Sequence, residues 1–274
     1  IVNLADLKPF PSDFNQILTY QFFCISLIKD KNIGELFGRQ NCDFDGSIMR
    51  FADPRQLINI NAECTRHQDG YLVFIHPDFL KAYSLGNKMK NYGFFAYSAT
   101  EALHLSEQET SLISDTILKI FAELQSSIDA FSQDIIVSHL DLLLNYTNRF
   151  YNRQFIVRKN AKNELLDKLD VMLKNYFDSG DLVNNGLPSV QCVANELNIS
   201  PNYLSDILRA HTGLNAKQHI QNQLIEKSKE LLATTEMTVA EIAYLLGFGY
   251  PQSFNKFFKS KTNISPLQFR TRIN

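Results

Sequence analysis

One pattern occurs twice in the last ninety or so residues, and it dictates how that part of the chain can fold. Each copy is a short amphipathic segment, a tight turn and a second amphipathic segment. The first runs from Ser189 to Gly213 and the second from Thr238 to Asn263. Ala194 and Ala243 lie 49 residues apart, whereas Leu208 and Phe258, or Thr212 and Thr262, lie 50 apart, so the second copy holds one extra residue between its two segments. A surface turn absorbs an insertion there. The duplication predicts two helix-turn-helix units, at about 189–213 and 238–263, within an all-α C-terminal domain.

Each part of the pattern has a physical reason. Ser189 and Thr238 carry hydroxyls that accept from an unpaired N–H of a first helical turn. Val193 and Leu197 in one copy, and Ile242, Leu245 and Leu246 in the other, recur at helical spacing and form the stripe that faces inward. Ala194 and Ala243 are small where the second helix of the unit must approach closely. The turns, Asn198-Ile199-Ser200 and Gly247-Phe248-Gly249-Tyr250, offer Asn or Gly for left-handed backbone. Pro201 and Pro251 suit a first helical position, where the missing N–H costs nothing.

On the second helix of each unit, apolar and polar residues separate. Phe254, Phe257 and Phe258 share an inward face, which leaves Gln252, Ser253, Asn255, Lys256 and Lys259 outward. In the first copy Leu204, Ile207 and Leu208 face in, and Asn202, Tyr203, Ser205, Asp206 and Arg209 face out. Asn and Gln can pair bidentately with adenine, and Lys with guanine or phosphate, so these ten outward residues are the candidate DNA-binding set. Asp206 is the odd member, since it repels phosphate yet could accept from cytosine N4. Any solvated helix face is polar; the place of these residues directly after a helix-turn-helix turn favours base reading. The three phenylalanines could stack on unpaired bases, but their spacing makes them core.

The segment from about Leu187 to Arg270 resembles the DNA-binding domain of the AraC/XylS family of bacterial transcription regulators. The residues that carry the resemblance are Ile242-Ala243, Gly247-Phe248, Ser253-Phe254, Phe257-Phe258-Lys259, Ser265-Pro266 and Phe269-Arg270. The resemblance implies two subdomains joined by a long helix, here about Ala216 to Ala233, that set their recognition helices into successive major grooves roughly 34 Å apart. It also implies an N-terminal cupin-like small β-barrel with helices that dimerise, control by a bound small-molecule effector, and contact with RNA polymerase. Three positions depart from the family pattern: Asp206 replaces a basic residue, Leu224 an arginine, and Asn263 a glycine. Asparagine also visits the left-handed region.

Composition is consistent with two folded domains, at 274 residues and 45% hydrophobic content. The net charge of −2 does not itself point to nucleic acid. From Gly186 onward, however, nine Lys/Arg face six Asp/Glu, a net +3, which leaves 18 against 23, a net −5, for the rest. That asymmetry fits a basic module joined to an acidic regulatory one. Cys24, Cys42, Cys64 and Cys192 show no zinc-like spacing, so reduced thiols in a cytoplasmic protein are expected. No uninterrupted apolar stretch of about 18 residues predicts a membrane span.

The first 155 residues read as an α+β ligand-sensing and dimerisation domain, and 156–274 as the DNA-binding domain. Strands are expected over about 15–99, with turns at Asn32-Ile33-Gly34, Asp45-Gly46, Asp53-Pro54 and Asp69-Gly70, and with Gly70–His76, ended by Pro77, as the best single strand. Helices are expected over about 106–153: the first runs from Ser106, with Glu109 as its capping-box partner, to about Gln125, and the second starts near Ser132. The stretch Arg149–Asn163, with Arg149, Arg153, Arg158, Lys159 and Lys162, reads as a connection, followed by a helix from Ala161 to about Tyr176.

Other residues that tempt toward chemistry have duller readings. Cys64 and His67, with Glu63 beside them, could ligate a metal or pair as nucleophile and base, but no further ligand is visible nearby and they read as a surface loop. Glu101 and His104 read as a helix-end contact, and His76 as the end of a strand. No cupin metal motif, cofactor site or catalytic set is expected. The reading is a sequence-specific DNA-binding regulator, a homodimer bound to double-stranded DNA and not to a membrane. The alternatives are a protein-interaction module, or a cupin-type enzyme fused to a degenerate DNA-binding tail.

Overall fold

The computed structural model describes residues 1–8, 11, 13, 15–29, 47–61, 69–157 and 159–273. It divides into two compact units, Ile1–Val157 and Arg158–Asn274. Asn32-Ile33-Gly34, Cys42, Asp45-Gly46, Glu63, Cys64, His67 and Arg158 lie outside the described residues.

The first unit is built on strands β1 (Val2–Asn3), β2 (Asn15–Thr19), β3 (Phe23–Lys29), β4 (Ile48–Ala52), β5 (Leu57–Asn61), β6 (Asp69–Ile75) and β7 (Leu103–His104). Five of them form an antiparallel sheet in the order β1-β6-β3-β4-β7, and β2 pairs with β5 in a separate ribbon. Alternation along β3 decides the buried face: Phe23, Ile25 and Leu27 are buried while Cys24 and Ser26 are less so. Ile25 lies opposite Val73 on β6 and Phe51 on β4, and Leu27 opposite Met49, so one side of the sheet is continuously apolar.

Two expectations about this unit are not borne out. Among the described residues the five-stranded sheet has distinct edges at β1 and β7 and does not close, so the expected cupin-like barrel is not confirmed. Nor do strands continue to residue 99. After Ile75 the chain forms short helical turns around helix α1 (Ser84–Asn91), in which Phe94, Phe95 and Tyr97 are buried. The ring of Phe94 lies 4.7 Å from that of Phe51, and Phe95 lies 5.1 Å from Phe23, so these aromatics fill the core under the sheet instead of extending it. The Asp69-Gly70 pair is likewise no turn. It begins β6, and Gly70 is needed there because a Cβ would overlap the carbonyl oxygen of Leu27.

Helix α2 (Glu107–Gln125) starts at the Ser106/Glu109 capping box, and α3 (Ser132–Val157) returns alongside it. The last turns of α3 grip the strand below. The side-chain amide of Gln154 accepts from the His104 N–H at 2.8 Å and donates to the Ala102 carbonyl at 3.2 Å. Arg153 donates to the His104 carbonyl and pairs with Glu109, each at 2.9 Å. Arg153 is therefore a fixed part of the first unit, and the stretch expected as a connection is mostly helix. Glu101 caps the turn that begins at Ser98, as a helix-end contact, and His76 accepts from the Asp78 N–H just past the end of β6.

The second unit is all helical: α4 (Lys159–Asp178), α5 (Asp181–Asn185), α6 (Val190–Glu196), α7 (Pro201–Thr212), α8 (Ala216–Thr234), α9 (Val239–Leu245), α10 (Pro251–Thr262) and α11 (Pro266–Ile273). A single core runs through it, joining Leu173 of α4, Leu182 of α5, Val193, Leu204, Leu224 and Phe254. Among the described residues, no helix is long and apolar enough to cross a membrane, and no group of three or more His, Cys, Asp or Glu could hold a metal ion.

Candidate nucleic-acid interface

The two helix-turn-helix units are built by matching local devices. Ser189 accepts from the Cys192 N–H, and Thr238 forms a reciprocal capping box with Glu241. The bonds from Thr238 hold the Glu241 carboxyl below its ordinary range. Both turns pass through left-handed backbone at the same place, Asn198 at φ 55° and Gly247 at φ 77°. Pro201 and Pro251 open α7 and α10, and Gly213 and Asn263 close them in left-handed conformation. The apolar residues then seat each helix: Leu204 and Leu208 in α7, and Phe254 and Phe258 in α10, are buried in the shared core.

What remains outward differs between the two. On α10, Gln252, Ser253, Asn255, Lys256 and Lys259 are all exposed, and the helix carries Lys256, Lys259 and Lys261 with no acidic residue. Phe257 is only half-buried. On α7, Asn202 and Arg209 are exposed and Ser205 and Asp206 partly so. Tyr203 is the exception to the expected set: at 9% exposure it is buried, and it extends the inward face beside Leu204 and Ile207. Asp206 is not a bare negative charge either, since its Oδ1 accepts from Nη1 of Arg209 at 2.6 Å.

The structure also assigns roles that sequence reasoning did not. Arg270, whose charge would suit a phosphate or solvent equally, donates to the carbonyls of Leu232 at 3.0 Å and Met237 at 2.6 Å, and so ties α11 to the end of α8. Helix α4 is clasped to α8 by polar groups: Asp170 accepts from Gln223 and contacts His219, and Asp178 pairs with Lys227 at 2.7 Å. That ammonium holds the Asp178 carboxyl below its usual range. These partners lie about fifty residues apart, and nothing in their local sequence links them. The spacer α8 has 19 residues, about 28 Å at 1.5 Å per residue.

A helix-turn-helix domain model matches residues 193–272, and the arabinose operon regulatory protein of Escherichia coli is 33% identical over 81 residues, 30% of this chain and 28% of that one. Residues 193–272 form an AraC-type helix-turn-helix domain. The Msm operon regulatory protein of Streptococcus mutans is 28% identical over 164 residues, 60% of this chain and 51% of its own. The chain thus spans about half or less of the length of these curated relatives. Among solved structures, the C-terminal domain of AraT, a response regulator from Geobacillus stearothermophilus, is 28% identical, with 39% of this chain and 84% of that one covered and a TM-score of 0.34. ToxT from Vibrio cholerae aligns over 94% of both chains at 17% identity, with a TM-score of 0.33. Helices α4 and α5 precede the matched segment, yet they belong to the same core as the AraC-type domain.

Proposed function

We propose that the chain is a sequence-specific DNA-binding transcription regulator whose α7 and α10 enter successive major grooves. The observation that carries this reading is the outward face of α10. Four hydrogen-bonding side chains suited to base edges and phosphates, Gln252, Asn255, Lys256 and Lys259, are exposed there without an opposing acid, directly after the turn of a duplicated unit. The test is selection of bound duplexes from a random pool at near-physiological salt. One motif with two blocks about ten base pairs apart is expected. Replacing Asn255 and Lys256 together by alanine is expected to weaken specific binding by about 1–3 kcal/mol for each base that is no longer read. Unchanged specific affinity would remove α10 from the interface. Binding should also fall steeply with salt, because phosphate contacts release counterions; a flat response would favour a protein-interaction module.

The first unit, in this reading, senses an effector or partner and joins two copies, in the cytoplasm and with RNA polymerase as a further contact. A ligand there changes DNA binding only through differential affinity for the two functional states. Its α2–α3 hairpin supports the homodimer. Leu118, Phe121 and Leu124 on α2, Ile128 and Phe131 in the turn, and Ile135 and Leu142 on α3 are all exposed. Exposed apolar side chains gathered on one hairpin are what an isologous interface between two copies buries. Phe121→Lys would place a charge in that interface, and self-association measured by sedimentation is expected to weaken about tenfold or more. Unaltered association would place the dimer contact elsewhere.

A further inference from the structure

We infer that Asp206 is a positioning residue that holds Arg209 to read a guanine in the major groove, so that α7 contributes base choice while α10 contributes most of the phosphate attraction. The inference rests on the DNA-binding reading above. It starts from the internal repeat. Pro201 and Pro251 open equivalent helices, so Asn202, Ser205, Asp206 and Arg209 correspond to Gln252, Asn255, Lys256 and Lys259. Residues at this spacing of three, four and seven share one helix face. At the two charged positions of that face, α10 has lysine twice and α7 has an aspartate followed by an arginine.

That exchange changes what the face can do. Asp206 is mostly enclosed, at 24% side-chain exposure, whereas Arg209 reaches out at 56%, and Oδ1 of the first accepts from Nη1 of the second at 2.6 Å. The carboxylate takes one edge of a planar group that has five N–H donors. Donors remain for the N7 and O6 of a guanine, which accept two parallel N–H bonds from an arginine. A long side chain on an exposed helix face loses rotamer freedom when it binds; an arginine already held by a neighbour loses less. The pair is neutral, so it adds little to the attraction for phosphates, and its effect falls on which base is accepted. Lys256 and Lys259 are compact point charges suited to phosphate. The commitment of Asp206 Oδ1 to Arg209 also argues against Asp206 reading a cytosine itself.

The experiment is the same duplex selection run on the full chain and on Arg209→Ala, Asp206→Asn and Lys259→Ala. The parent is expected to enrich a guanine at one position of the block read by α7. Arg209→Ala should relax that position about tenfold or more and leave the block read by α10 intact, which also reports that the domain is folded. Asp206→Asn should relax the same position while raising general affinity, because a negative charge is removed. Lys259→Ala should lower affinity across all sequences and reduce the salt slope by about 1. Retention of every base preference by Arg209→Ala overturns the inference. So does loss of a cytosine preference in Asp206→Asn alone, because Asp206 would then be the reader. A parent chain that enriches no motif overturns the DNA-binding reading itself, an outcome distinct from a motif that survives in the variants.

Discussion

Alanine at Gly247 is expected to destabilise the C-terminal unit by about 3 kcal/mol. Two costs combine. The residue has φ 77°, in the left-handed region, where a Cβ costs about 1–2 kcal/mol. That Cβ would also overlap the carbonyl oxygen of Leu182 and lie 3.2 Å from the Cα of Gly186, so the turn and the α5 segment must separate. Both obstacles are backbone atoms, which no rotamer change can move, and forced displacement in a packed interior costs about 1–3 kcal/mol. Urea unfolding of the parent and Gly247→Ala measures the difference. Asn198 occupies the matching turn at φ 55°, and Asn198→Gly, which suits left-handed backbone but loosens the unfolded chain, is expected to change stability by about 1 kcal/mol or less. Equal midpoints for Gly247→Ala and the parent would mean that α5 does not pack on this turn.

Phe254→Ala is expected to cost about 3–5 kcal/mol, the range for truncating a buried aromatic. The side chain is fully buried, its ring 5.4 Å from that of Phe248 and 5.8 Å from that of Phe258, which in turn meets Phe269 at 5.6 Å. Removing it opens a cavity between the turn, the seat of α10 and α11. Against a typical total stability of about 5–15 kcal/mol, much of the folded population would be lost on mild warming. DNA binding should fall in parallel with the folded fraction, because Phe254 seats the helix that carries Asn255 and Lys256. Lys256→Ala, on the outward face, should leave the unfolding midpoint where it is. A Phe254→Ala midpoint equal to the parent's would contradict the packing of α10 described above.

The parts of the fold that could be read from the chain are those set by near neighbours. Hydroxyl caps at Ser106, Ser189 and Thr238, prolines at 201 and 251, and asparagines able to turn left at 198 and 263 each act within a few residues, and each stands where expected. Tyr203 reads as outward because its hydroxyl is polar. It stands four residues before Ile207 on the edge of the apolar stripe, where the body of the ring buries. Between Arg149 and Asn163 a run of basic residues suggests a connection, yet the stretch holds neither proline nor glycine, and nothing there obliges α3 to stop early. The helical turns after Ile75 depend on partners such as Phe51 and Phe23, far back in the chain, and the grip of α3 on Ala102 and His104 on partners about fifty residues away, as do the α4–α8 clasps. At the candidate site, the spacing reveals the outward set, whereas the Asp206–Arg209 pair becomes visible only with the side chains in place.

The ends of the five-stranded sheet bear on how copies of this protein can meet. Its longest strands are central, and each of its edges, β1 and β7, is two residues long. The outer side of β7 is already occupied, since Gln154 supplies the donor and acceptor that a neighbouring strand would bring. Strand addition from another molecule needs a row of open backbone groups, and here the row is either too short or filled. Among the described residues, the β7 edge is closed to strand addition by two side chains of one helix, Gln154 and Arg153, and the β1 edge offers only two residues to pair with.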